Sequence, residues 1–478
     1  MRRTLTIVML LACSGIGWLL SLGVGQVAAQ ESGQTAGEML VIPTSGAGAA
    51  RGLSTAVHRI GDEEESQAAA DPYALPAGAV PAAYGAHQNA GYFYSSYEGA
   101  SSGGYFDATG GRSPNTWGGL WGYGDDCHVG AARFEYLMWF SRGRSAPPLV
   151  TTSPANTALP VAGVLPDAQV LYGGNSTIGE DMRSGARITL NRLLADECTW
   201  VEGRFWGLED STERFYANGN DFPILARPFV NTVLQVEDAL LVNYPGITSN
   251  GAVNVLSKND MFAADAWLRR TWTDDGCTRI DVLAGYQFAR IDDFIGITNL
   301  QQSIDPLGAV PVGTLSEISD AFQTQNEFHG AQFGMMYERR KGCWSVETLA
   351  KIGLGNMRQR VAISGNTVTT EPNAFPVQTT GGLLALPSNI GVFQRNQFAF
   401  IPEVNVNLCY NFSPSWKVMV GYSFIYFSDV VLAGNQIDRE VNFSQVPGPP
   451  IGALRPRFDL VNSDFLVQGI SLGGEYRW

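Results

Sequence analysis

The sequence predicts an all-β protein: a transmembrane antiparallel up-and-down β-barrel of about ten strands, with a disordered N-terminal segment in front of it. Three observations predict this. Only 16% of the 478 residues are charged, although the hydrophobic share is an ordinary 45%; a soluble domain carries about 25% charge. The one long apolar stretch lies at the N-terminus, whereas a polytopic helical membrane protein needs several apolar runs of about 20 residues. From Cys127 to Trp478, alternating apolar and polar segments are separated by connections rich in Pro, Asn, Gly and Thr. That is the sequence signature of a membrane barrel.

The N-terminus reads as an export signal over residues 1–29. Arg2 and Arg3 form a basic head, Leu5 to Val24 is mostly apolar, and Val27-Ala28-Ala29 offers small residues before Gln30. These are the parts of a cleavable secretory signal. An uncleaved anchor, or a lipoprotein box around Leu10-Leu11-Ala12-Cys13, is the competing reading. Lys+Arg minus Asp+Glu is 31 − 45 = −14, and loss of the two arginines takes the chain to 29 − 45 = −16. Phosphate binding draws on Lys and Arg, so no nucleic-acid partner is expected. Residues 30–90 are rich in Ala, Gly and Pro, contain Asp62-Glu63-Glu64-Glu65 and show no sustained period; they read as a disordered linker. Residues 91–126 are Gly- and aromatic-rich, as in Trp117-Gly118-Gly119-Leu120-Trp121.

Within 127–478 the period of two is explicit. Ile280, Val282, Ala284, Tyr286 and Phe288 share one face and Asp281, Gly285 and Gln287 the other. Trp416, Val418, Val420, Tyr422, Phe424 and Tyr426 oppose Lys417, Met419, Gly421 and Ser423. A soluble β-sandwich would show shorter strands, with turn signals about every 8–12 residues.

Cysteines mark the turns. Cys127, Cys198, Cys277, Cys343 and Cys409 are 71, 79, 66 and 66 residues apart, beside Asp125-Asp126, Asp196-Glu197, Asp274-Asp275-Gly276, Arg340-Lys341-Gly342 and Asn411-Phe412-Ser413-Pro414. Four open a strand and the last closes one. The unit is strand, long loop, strand, short turn. Five units give strands at about 128–142, 181–195, 198–210, 260–273, 278–292, 324–340, 343–357, 397–410, 415–430 and 463–478. A twelve-stranded count follows if 211–259 hides a further hairpin. Rim cysteines on alternate strands stand about 9–10 Å apart, beyond the ~7 Å reach of a disulfide, so they are expected to be mostly unbridged. No Cys-x-x-Cys or clustered His points to a metal, and no cofactor is expected.

The barrel region resembles the planctomycete family of outer-membrane barrels, putative β-barrel porin family 7. The resemblance is carried by eight blocks in order. They are Glu135 to Phe140, Pro147 to Pro154, Val170 to Gly174, Asp281 to Tyr286, Asn326 to Gly330, Gly381 to Leu384 with Pro387 to Gly391, Phe398 to Glu403, and Val420 to Phe424. It implies an outer-membrane location and a barrel; it supplies neither a solute nor catalytic residues. Independently, Ser471-x-Gly473-x-x-Tyr476-x-Trp478 is similar to the terminal strand signal through which outer-membrane barrels meet their assembly machinery. Tyr476 and Trp478 suit the aromatic belt at a membrane surface.

Parity sends a second set of residues to the lumen: Arg133 and Glu135, Glu202 and Arg204, Asp265 and Arg269, Arg279 and Asp281, Glu347 and Lys351, Glu403, and Glu475 and Arg477. Two readings stand. Acid and base together can form a charged constriction that selects solutes. They can also ion-pair and fill a narrow barrel, since eight strands leave room only for side chains. The leading functional expectation is passive diffusion of small solutes. The alternatives are a structural or adhesive barrel without conductance, and an outer-membrane hydrolase. Hydrolysis needs a nucleophile and a base held together. His329 shares parity with Ala331, Phe333, Met335 and Tyr337 and should face lipid, while paired Asp residues fit turns. The long loops 211–259 and 358–396 are expected to meet polysaccharide or protein, and lipid is the partner of the outer face.

Overall fold

The computed structural model describes residues 128–196, 198–445 and 451–478; the signal, linker and Gly/aromatic segments and Cys127 lie outside the described residues. Ten strands form the barrel: β1 Gly130–Ser141, β2 Met182–Leu193, β3 Thr199–Asn218, β4 Thr248–Asp274, β5 Thr278–Ser303, β6 Leu315–Lys341, β7 Trp344–Thr370, β8 Gly391–Asn411, β9 Trp416–Val430 and β10 Ser463–Arg477. Each pairs antiparallel with its neighbours in sequence. β1 closes the ring on β10, from Ala131↔Arg477 to Ser141↔Val467. The order is therefore up-and-down, with ten strands rather than twelve.

Alternation gives the two faces their character. On β1, Phe134, Tyr136 and Phe140 are exposed while Glu135, Leu137 and Trp139 are buried. On β9, Val418, Val420 and Tyr422 are exposed while Lys417, Met419 and Ser423 are buried. Aromatic residues gather outside near the short turns, where Trp344 packs on Tyr410 and Trp416 on Tyr476, both at 4.9 Å between ring centres. This is the girdle that anchors a barrel at a membrane surface. The short turns are shaped by their acids. The Asp196 carboxylate accepts hydrogen bonds from the backbone N–H and hydroxyl of Thr199; Asp275 accepts from the N–H of Thr278 and Cys277. These donors hold both carboxyls below their ordinary range.

Strand lengths differ more than the sequence predicts. β1 and β2 have 12 residues, about what a tilted strand needs to cross a bilayer, but β4, β6 and β7 have 27 and β5 has 26. The segments 211–259 and 358–396, expected as loops, are largely strand: they prolong β3, β4, β7 and β8 beyond the barrel. Val253, Val255, Ile295, Ile297, Phe322, Val361 and Ile363 line the inner side of this wall and are buried. A second sheet covers them. It is built from Val150–Ser153, Gln169–Tyr172, Ile224–Asn231, Val236–Asn243 and Glu440–Val441. The hairpin hidden in 211–259 thus exists, but it belongs to this cap and adds no strand to the barrel. Arg227, fully buried, ties cap to wall by pairing with Asp320 at 2.5 Å and Asn299 at 2.9 Å.

Candidate functional site

The lumen is layered, and the layers follow from what each strand places on its inner face. At the short-turn end, Arg133 contacts Glu475 at 2.5 Å and Glu347 at 2.8 Å. Lys417 bridges the same two carboxylates, at 3.0 Å from Glu475, and Arg477 adds a contact to Glu475 at 2.8 Å. On the opposite wall Arg279 pairs with Asp281 at 2.9 Å. Arg269 is looser, 3.5 Å from Asp281 and 3.8 Å from Glu202. Both guanidinium groups lie over the Trp200 ring, at 5.5 and 6.0 Å.

The next layer is drier. Arg187 grips Glu135 with two bonds of 2.6 Å. Arg204 holds Asp265 at 2.8 and 2.5 Å and Glu403 at 2.5 and 2.7 Å. Lys351 completes the square with Asp265 at 3.0 Å, Glu403 at 3.2 Å and Gln332 at 2.6 Å. Two positive and two negative groups thus cancel in a volume without solvent exposure. Most pairs are direct cross-strand neighbours: Glu135↔Arg187, Arg204↔Asp265, Lys351↔Glu403 and Lys417↔Glu475. Register sets the pairing.

Above the charges the same parity turns apolar. Leu137, Trp139, Trp206, Leu208, Met261, Ala263, Ala289, Ile291, Phe328, Met357, Ala399, Ile401, Ile425, Phe427, Phe465 and Val467 form one buried cluster. Nine of the ten barrel strands contribute to it, every one but β2. Trp139 and Trp206 meet edge-on at 5.1 Å between ring centres. Gly469, opposite Trp139, makes this fit: a Cβ there would stand 2.6 Å from the Trp139 Cα. The chain after β9 then dips into the mouth. Asn326 accepts from the Val431 N–H at 2.8 Å and donates to its carbonyl at 2.9 Å. The Ala433 N–H donates to Asp293 at 2.9 Å, and Asp293 is paired with Arg144. The segment 431–436 closes the mouth together with the loops after β3 and β7: Arg227 pairs with Asp320, whose carboxylate also accepts from the Leu384 and Ala385 N–H groups.

The thirteen charged residues singled out by parity all lie on the inner wall, but their grouping differs from strand-by-strand pairs. Arg204 binds Asp265 and Glu403, not its strand neighbour Glu202. Glu202 is left with an oxygen that is buried and without a hydrogen bond. Arg187 and Lys417 were missed as partners, although Ile188 and Leu190 on the outer face already assign Arg187 to the lumen. The terminal strand residues take separate places. Ser471 is buried beside Glu135, 3.4 Å away. At Gly473 a Cβ would stand 2.6 Å from the Glu135 Cγ, so its absence leaves room for that side chain. Tyr476 and Trp478 are exposed on the outer face. Of the described histidines, His329 is exposed and its Nδ1 lies 2.6 Å from the Tyr286 hydroxyl, on the lipid-facing side. Cys409 lies close to the end of β8, the strand it is expected to close, and is fully buried, whereas Cys198, Cys277 and Cys343 are exposed at turns; all four are free.

A family model described as putative beta barrel porin-7 matches residues 132–478. No curated protein matches the chain. Among solved structures, the outer membrane protease OmpT of Escherichia coli is similar at 9% identity, with 74% of this chain and 98% of that chain covered and a TM-score of 0.37. A deletion mutant of the monoaromatic hydrocarbon channel TodX is similar at 7% identity, with 73% and 90% covered and a TM-score of 0.20. The outer-membrane expressed OmpT of Vibrio cholerae follows at 10% identity, with 73% and 98% covered and a TM-score of 0.11.

Proposed function

Because the chain belongs to the putative beta barrel porin-7 family and is an outer-membrane barrel, we propose that it works as a closed one. On this reading it is a non-conducting pedestal that holds a folded β cap at the cell surface. The apolar septum contributed by nine strands carries the reading. An ion crossing it would have to shed its hydration among Trp, Phe, Leu and Ile side chains, at a cost of many kcal/mol. Export through residues 1–29, delivery to the assembly machinery through Ser471, Gly473, Tyr476 and Trp478, and contacts of the cap with polysaccharide or protein belong to the same proposal. So does the absence of catalysis: His329 has a tyrosine beside lipid as its partner rather than a nucleophile in a cleft, and His128 stands at the short-turn rim, at the turn where the sequence places it.

The family description favours the second reading, passive diffusion of small solutes. That reading requires the septum and the plug 431–436 to leave the lumen together. Planar-bilayer recording separates the two. A folded, inserted sample, verified by heat-modifiable gel migration, should give no single-channel steps, and the double variant W139A/W206A should admit small ions. Discrete steps from the wild-type chain would establish the diffusion channel instead. Recovery in a soluble fraction without heat-modifiable migration would remove both.

A further inference from the structure

Below the septum the lumen is not filled. A cavity of about 600 Å³ opens at the short-turn rim and ends on the ion-paired layer, a size that holds a small organic molecule. Six cationic side chains and four carboxylates line it, and Asp281 and Glu202 stand behind Arg269 and Arg279. The pairing is uneven. Glu347 and Glu475 are shared among Arg133, Lys417 and Arg477. On the facing wall Arg269 is poorly satisfied. Its Nη1 donates to the Met336 thioether at 2.9 Å, and its Nε is buried without a hydrogen bond, with Asp281 at 3.5 Å and Glu202 at 3.8 Å. A buried guanidinium costs free energy unless an anion or acceptor meets it. Arg279 stands beside it across Trp200, so two forks share one platform. Also lining the cavity, the Asn191 and Asn411 side-chain oxygens are buried without donors.

We propose that this vestibule is a binding site for a small hydroxylated organic anion, of the sugar-acid class. The carboxylate docks on Arg269 and Arg279 beside Trp200, and hydroxyl groups donate to the Asn191 and Asn411 oxygens. A fork of guanidinium N–H groups matches a planar carboxylate. The two orphan acceptors explain why hydroxyls are needed as well as charge. The site shares the outer-membrane barrel with the function proposed above but not the closed septum. Binding and conductance are therefore separate readouts, and either can fail alone.

Isothermal titration of the full chain, folded in detergent micelles, tests the site with glucuronate as probe. Saturable one-to-one binding is expected. Glucose, which lacks the charge, and acetate, which lacks the hydroxyls, should each bind about tenfold more weakly or worse. Arg269→Gln should weaken glucuronate by about the same factor. Asn411→Ala should weaken glucuronate while leaving acetate unchanged. Heat-modifiable migration of each variant shows that it has folded. Absence of saturable glucuronate binding by the folded wild type overturns the proposal. So do equal affinities for glucuronate and glucose, or for glucuronate and acetate, and so does undiminished binding by folded Arg269→Gln.

Discussion

The two halves of the lumen are built on the same ten strands with the same parity, yet they are closed by opposite chemistry. Toward the short turns the inner face is Arg133, Glu135, Arg204, Asp265, Lys351 and Glu403; toward the long loops it is Leu137, Trp139, Trp206, Leu208, Met261 and Ile401. The charged half needs cancellation. Each buried ion loses its hydration, and mutual attraction repays this only with near-ideal geometry, which cross-strand register supplies. The apolar half needs only shape, and it gains about 25 cal/mol for each Å² removed from water. One half fixes which strands face each other, while the other seals. That division is a physical expectation, and it can be broken at either end.

Arg204→Met should have the largest effect. It leaves Asp265 and Glu403 with Lys351 alone, a net negative charge in a volume without solvent, at a cost of about 4 kcal/mol. Replacing all four members with apolar residues of similar volume should cost far less. Denaturant titration, read by heat-modifiable migration, measures both. Equal losses would mean that the charges contribute stability rather than register. Leu208→Ala, in the septum, should cost about 3 kcal/mol and leave the charged half intact. A loss well below about 1 kcal/mol would mean that the septum is loosely packed.

How much of this was legible in the sequence depends on which faces a strand buries. Where one face meets lipid and the other charge, as in Ile280 to Phe288, alternation is plain and all ten strands can be found. The septum is harder. Leu137 and Trp139 share parity with Arg133 and Glu135, but Tyr136, Met138 and Phe140 on the outer face are also apolar, so the alternation dissolves just where the seal lies. Cap strands give no period at all. Ile224 to Phe229 is buried at every position, Arg227 included, and a segment buried on both faces shows no alternation. The anion site was half visible. Parity found Arg269 and Arg279, but the missing partners of Arg269, Asn191 and Asn411 are facts of three dimensions.

The cap offers a smaller and cleaner contrast, because it lies beyond the bilayer. Tyr172 packs against Phe215 at 5.3 Å between ring centres, and burial, aided by the Glu213 charge, raises its hydroxyl from 10 to about 12. A raised folded-state value favours the neutral phenol. The stability tied to Tyr172 is therefore complete below pH 10 and is lost as pH climbs from 10 through about 12. At most it amounts to about 2.7 kcal/mol. Tyr172→Phe, which cannot ionise, should hold its stability across that window while the wild-type cap loosens. Parallel decline of the two proteins between pH 10 and 12 would show that Tyr172 is not the group responsible.

Thiol accessibility perturbs the molecule least and reads the two halves directly. Cys198, Cys277 and Cys343 stand exposed at successive short turns, two strand spacings or about 9–10 Å apart, too far for disulfides among them. They should react with a maleimide at once, and a non-reducing peptide map should find no bridge joining any two. Cys409 is buried in the charged half, on the same face as Asn407 and Glu403. Ala263→Cys would place a thiol in the septum, where Ala263 is likewise fully buried. Burial alone predicts equal protection for the two. A wet lower half beneath a dry upper half predicts otherwise. A small charged methanethiosulfonate enters the 600 Å³ vestibule and reaches Cys409 by local fluctuation, slower than the rim thiols. At Ala263→Cys it must cross the ion-paired layer, and it should react only on unfolding. Equal rates at the two buried positions would mean that the lumen has no seal above its charges, and the contrast between the halves would fall with it.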